Sequence, residues 1–104
     1  MEDPKQLLTA TAIENAGLTD WRRGDEALTA RFRSGNFATG LQLVARIGAS
    51  AEAVNHHPDV LLTYPAVTVT LTSHDAGGVT IRDVRLARVI SEHAAALGIS
   101  AGAR

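Results

Sequence analysis

The sequence predicts an α+β fold: a four-stranded antiparallel sheet with two long helices packed on one face, in the order α-β-β-α-β-β-α. Three observations lead there. Two stretches, Phe37 to Val54 and Val84 to Leu97, repeat apolar residues at spacings of three and four, as amphipathic helices do. Two others, Ala27 to Arg33 and Val67 to Ser73, alternate apolar with polar residues, the period of a strand with one buried face. Turn-forming residues separate these segments, and a sheet with one apolar face needs helices to cover it.

Thr9 is placed to cap a short first helix through about Ala16, with Gly17 as its stop signal. Trp21 to Arg23, the turn pair Gly24-Asp25 and the run Ala27 to Arg33 then read as a hairpin, with Leu28, Ala30 and Phe32 on its buried face. Asn36 caps the first long helix, whose expected buried stripe is Phe37, Leu41, Val44, Ile47, Ala51 and Val54. Gly40 and Gly48 lie inside that helix, each costing about 1 kcal/mol relative to Ala, so a close contact is expected at both. Asn55 to Asp59 ends the helix, and Pro58 disfavours helical geometry at His57. A strand from Val60 to Tyr64 follows, then a Pro65-Ala66 turn.

In the next strand Val67, Val69 and Leu71 point one way and Thr68, Thr70 and Thr72 the other, a parity that puts His74 with the threonines. Asp75 to Gly78 is a loop. Thr80 followed by Asp83 forms a capping box that opens the last helix, with Val84, Ala87, Ile90, Ala94 and Leu97 as its buried stripe and Gly98 as its end.

The chain has 104 residues, the size of one domain with one core, and residues 1–104 are read as such. Hydrophobic residues at 45% and charged residues at 20% argue against disorder. Ten Lys and Arg against eleven Asp and Glu leave no positive excess for phosphates, so direct nucleic-acid binding is not expected. With no cysteine, disulfides, thiolate chemistry and cysteine zinc sites are excluded. The opening MEDPKQLL is acidic where a secretion signal would be basic and then apolar, and no apolar run approaches the roughly 18 residues of a membrane span. A cytoplasmic protein without membrane contact is expected.

The chemistry left to this chain is that of imidazoles, carboxylates and hydroxyls. His56, His57 and His74 fall at a helix end and a strand end that this fold can bring together. Near neutrality one imidazole can donate a proton while another accepts one, since the free group titrates at about pH 6.5. Spacing alone leaves equal room for solvated loop histidines. Glu52 lies one helical turn before His56, where a carboxylate can hold the ring's other nitrogen. Asp83 is explained by helix capping, by support of the site, or by both. Tyr64 and Trp21 read as core or interface aromatics, and His93, without a motif partner, as solvated or at an interface.

The run Glu52-Ala-Val-Asn-His56-His57-Pro58-Asp59, then Tyr64, then Ser73-His74-Asp75-Ala-Gly77-Gly78 and Asp83 resembles the pterin-4a-carbinolamine dehydratase family. Trp21, Arg31-Phe32, Phe37 and Leu86-Ala87 extend the likeness from about Thr9 to Leu97. The resemblance implies dehydration of a 4a-hydroxytetrahydropterin to the quinonoid dihydropterin, in tetrahydropterin recycling, without metal or organic cofactor. It implies His56 and His74 as general acid and base and His57 as a pterin-binding group, with Glu52, Pro58 and Asp83 in binding or support. Its implied partners are a pterin substrate, a second copy in a homodimer or dimer of dimers, and a pterin-dependent aromatic amino-acid hydroxylase as the substrate's source. Ser73 in place of Thr, Val60-Leu61 in place of an aromatic pair, and the Gly77-Gly78-Val79 loop depart from the family pattern and bear on substrate fit. Two other readings are a dimerising interaction protein with a vestigial pterin site and a three-histidine metal site, the latter disfavoured because adjacent histidines rarely aim at one ion. Apolar stripes broader than a small sheet can cover add to the expectation of self-association.

Overall fold

The computed structural model describes residues 3–101. Its elements are α1 (Ala10–Asn15), β1 (Arg22–Arg23), β2 (Leu28–Arg33), α2 (Phe37–Val54), β3 (Asp59–Leu62), β4 (Val67–Leu71), α3 (Ile81–Ala96) and β5 (Ser100–Ala101). The expected α+β order is present, with one addition: the chain beyond Gly98 returns to the sheet as β5. Strands run β1-β2-β4-β3, all pairs antiparallel, and β5 joins β2 on the flank that β1 also uses. Two residues are too few to carry an alternating pattern, so β5 left no mark in the sequence.

The helices start where the side chains say they should. Thr9 accepts from the Ala12 N–H, and Asn36 accepts from the Thr39 N–H at 2.8 Å. Gly17 and Gly98 both adopt positive φ, the left-handed geometry that ends a helix most easily at glycine. Leu28, Ala30 and Phe32 of β2 and Val67, Val69 and Leu71 of β4 are buried on the face toward α2 and α3. Trp21 closes one end of this core, edge-on to Phe32 with ring centroids 5.9 Å apart, and its indole N–H donates to Ser91 at 3.0 Å.

The buried face of α2 differs from the expected one. Gly40, Leu43, Ile47 and Ala51 form it, whereas Phe37, Leu41 and Val54 are about half exposed or more. At 100° per residue, Phe37, Leu41 and Val44 sit on a neighbouring flank, and the sequence stripe mixes both faces because it favours large side chains over Gly40. The two helical glycines also part company. A Cβ on Gly40 would lie 2.7 Å from Leu62 Cδ1, so the helix approaches the sheet closely there. At Gly48 nothing lies within 4 Å, and the expected close contact is absent.

β3 begins at Asp59 and ends at Leu62, short of Tyr64, because the 63–66 turn closes with the Thr63 N–H bonded to Ala66 O at 2.9 Å. β4 ends at Leu71, after which Ser73 makes only an isolated bridge to Gly78. The last stripe is as expected for Val84, Ala87, Ile90 and Ala94, with Leu97 half-buried and Leu86 added. Among the described residues no helix is long and apolar enough to cross a membrane.

Candidate active site

β3 and β4 pair with Asp59 opposite Thr70, so the residues just before β3 and just after β4 lie at the same end of this hairpin. His56 and His57 precede the first, and Ser73 and His74 follow the second. α3 begins beside them at Thr80. Asn55 is the sole non-glycine residue with positive φ among those described (φ 51°), and it caps α2 in the left-handed conformation. Helical spacing therefore stops before His56. Its ring turns inward, leaving the residue 9% exposed, while the His57 side chain stays 54% exposed.

Asp83 is the centre of the buried cluster. Its Oδ1 lies 2.6 Å from His56 Nε2. Its Oδ2 accepts from the Ser73 hydroxyl at 2.7 Å and from the Thr80 backbone N–H at 2.9 Å. Since the Ser73 proton goes to Asp83, the Thr80 hydroxyl, 2.8 Å from Ser73 Oγ, donates to it. The capping box is complete, so one carboxyl group both opens α3 and holds an imidazole. With the carboxylate as acceptor, His56 carries its bonding proton on Nε2 and keeps Nδ1 for other work.

Glu52 is placed otherwise than its spacing suggests. It pairs with His57, Oε2 to Nε2 at 2.5 Å, and not with His56, because the chain leaves the helix at Asn55. Both partners are exposed. His74 is also exposed, as strand parity predicts, and projects from the turn that joins Ser73 to Gly78. Pro58 is half-buried between His57 and the start of β3.

A cleft of about 400 Å³ opens between α2 and α3 beside the buried cluster. Ala53, Val54, Leu86 and Val89 give it apolar walls, with His56 and Arg82 among its polar lining. Of the three histidines singled out in the sequence, His56 alone lines it. Tyr64 is exposed and Trp21 is core, and neither borders this cleft. Among the described residues no group of three or more His, Cys, Asp or Glu side chains is arranged to hold a metal ion.

The sequence pattern of the family described as Pterin 4 alpha carbinolamine dehydratase matches residues 6–93. The chain belongs to the pterin-4a-carbinolamine dehydratase family. Similar relatives include proteins provisionally named pterin-4-alpha-carbinolamine dehydratase from Nocardia farcinica and from a Picosynechococcus strain. The first is 40% identical over 83 residues, covering 80% of this chain and 85% of the relative. The second is 43% identical over 82 residues, covering 77% and 89%. A crystal structure from Brucella melitensis, described as a transcriptional coactivator/pterin dehydratase, superposes with a TM-score of 0.81 at 33% identity, covering 86% of this chain and 99% of that one. A pterin dehydratase-like RuBisCO assembly factor of the alpha-carboxysome shares the fold at a TM-score of 0.61 and 23% identity, covering 72% and 89%.

Two arrangements around this candidate site escaped the sequence reading. Ser73, noted there only as a departure from the family pattern, is buried and bonds Asp83. Strand parity carried a signal: Ser73 continues the inward row of Val67, Val69 and Leu71, and a hydroxyl on a buried face needs partners. Arg82 grips Asp75, with Nη2 to Oδ1 at 2.7 Å and Nη1 to Oδ2 at 3.3 Å. The guanidinium's hydrogen bonds hold the Asp75 carboxyl below its ordinary pKa, and the carboxylate raises that of Arg82 in return. His93, half-buried between α2 and α3, meets the Ser50 hydroxyl at 2.7 Å.

Proposed function

We propose that this protein dehydrates 4a-hydroxytetrahydropterins to quinonoid dihydropterins, with His56 and His74 as the proton-transfer groups. The observation that carries the reading is the buried Asp83–His56 pair beside an open cleft, in a chain of the pterin dehydratase family. A hydroxyl on a saturated ring carbon leaves poorly unless it is protonated as the C–O bond breaks. One imidazole supplies that proton. The other takes the proton from a ring N–H, whose electrons form the new C=N bond as water departs. The two groups regain their starting states by proton exchange, and they trade roles between substrate stereoisomers.

Asp83 fixes the tautomer and the direction of the His56 ring, while Ser73 and the Thr80 N–H fix Asp83. His57, oriented by Glu52, binds the pterin, and Pro58 holds the chain extended there. Exposed Phe37 and Leu41 on one flank of α2, with Val60 and Leu61 on the edge strand β3 and Tyr64 in the turn after it, support self-association into a dimer or a dimer of dimers.

A dehydratase assay on the purified chain beside His56→Ala and His74→Ala tests the reading. Turnover that falls at least about a hundredfold in each variant is expected, the scale of a lost general acid or base. Full activity in either variant removes that histidine from the chemistry. The second reading, a dimerising interaction protein with a vestigial site, draws on the coactivator description of the Brucella melitensis relative. A wild-type chain that self-associates but turns over no hydroxypterin would favour it.

A further inference from the structure

The two residues that flank His74 are each held by α3. Ser73, on its inner side, bonds Asp83, and Asp75, on its outer side, is gripped by both terminal nitrogens of Arg82. Arg82 and Asp83 are consecutive in the first turn of that helix, and Arg82 also reaches Thr80 Oγ1 through Nε at 3.4 Å. The turn itself is closed by backbone bonds, with the N–H groups of Ala76 and Gly77 bonded to Ser73 O and the Ser73 N–H bonded to Gly78 O at 2.9 Å. Gly77 adopts φ +80°, and both His74 and Asp75 are exposed.

An exposed ion pair adds little to stability. A two-point guanidinium–carboxylate contact, however, fixes direction as well as distance. Such a contact matters most where placement matters most. Proton transfer is such a case, since a shift of about 1 Å in a reacting group can cost about a hundredfold in rate.

We propose that the Arg82–Asp75 pair is a positioning device for His74, which it fixes relative to His56 by tying both to a single turn of α3. The inference rests on the reading that His74 transfers a proton. Asp83 and Arg82 divide the work: the buried residue holds His56 and the inner side of the turn, the exposed one the outer side. Neither Arg82 nor Asp75 need touch the substrate.

The test compares Asp75→Asn, Arg82→Gln, the double variant and Arg82→Lys, with two readouts. One is kcat and KM for a hydroxypterin. The other is the mobility of the His74 ring from NMR relaxation of its imidazole C–H, assigned by its loss in His74→Ala. Each single variant is expected to lower kcat about tenfold, to leave KM within about twofold, and to loosen the His74 ring. The double variant should lose no more than the worse single one, because both break the same contact. Arg82→Lys, a point charge without the fork, should recover only part.

Losses that multiply in the double variant, or a KM that rises in Arg82→Gln alone, would mean that Arg82 acts on the substrate directly and overturn the proposal. An unchanged kcat, or a fall in kcat with the ring as rigid as before, overturns it equally. If the wild type turns over no hydroxypterin, the functional reading fails, and ring mobility alone then decides: a looser ring in Asp75→Asn upholds the clamp and an unaltered one ends it.

Discussion

Two histidine–carboxylate pairs of nearly equal length sit next to each other in this chain, and they are not equivalent. His56 meets Asp83 at 2.6 Å with the carboxylate fully buried, and His57 meets Glu52 at 2.5 Å with both partners in solvent. The short distance is common to both. The difference lies in what else depends on the carboxylate. Asp83 serves three donors and opens a helix, so its loss strands several groups away from water, while Glu52 can be replaced in its pairing by the solvent itself. Separation alone therefore says little about what a pair is worth.

Removing the buried carboxylate should give the largest effect. Asp83→Ala leaves His56, Ser73 and the Thr80 N–H without their acceptor, and breaking a buried pair in this way costs about 3 kcal/mol or more. At about 4–8 °C per kcal/mol for a domain of this size, a melting scan should register a fall of about 12 °C or more. Asp83→Asn sharpens the point, since the side chain keeps its shape and one acceptor. An amide nitrogen facing His56 forces the ring proton from Nε2 to Nδ1, so turnover should fall about a hundredfold with a much smaller change in melting temperature.

The same contrast between buried and open positions applies to the helical glycines. Gly48→Ala meets nothing within 4 Å and should stabilise the protein by about 1 kcal/mol in denaturant titrations, the helix-propensity difference. Gly40→Ala should fall short of that gain, because Leu62 must move to admit the methyl group. Glu52→Gln, at the exposed pair, should change stability by less than about 0.5 kcal/mol. A loss comparable to that of Asp83→Ala would break the comparison.

The smallest effect should come from pH acting on the Asp75–Arg82 pair. Asp75 is held below its ordinary pKa by Arg82. An unfolded Asp titrates near about 3.9, so the pair's contribution is complete above that pH and disappears as pH falls through the lower folded value. Between neutrality and about pH 4 wild type and Asp75→Asn should therefore keep a constant difference in melting temperature, which closes only below.

Much of this was legible in the sequence, for reasons that also explain the rest. The alternation of Val67, Val69 and Leu71 with threonines fixed the faces of β4 because period two leaves a residue no third direction. The buried side of α2 was harder: Phe37 and Leu41 outweigh Gly40 on any hydrophobic scale, although it is the glycine that touches the sheet. The three histidines stood out through the family resemblance, but which carboxylate serves which ring did not. Counting four residues from Glu52 presumes a helix that Asn55 has already ended. Arg82 and Asp75 look like any surface charges until the turn that carries His74 is folded between them.

The left-handed residue at the end of α2 has a consequence for how this stretch can vary. Because Asn55 sets the direction in which the chain leaves the helix, the choice of which imidazole goes inward depends on counting from it. One residue inserted between Asn55 and His56 would send the wrong ring toward Asp83, whereas exchanging exposed side chains nearby would leave the arrangement intact. The length of this short linker is therefore fixed far more tightly than its composition.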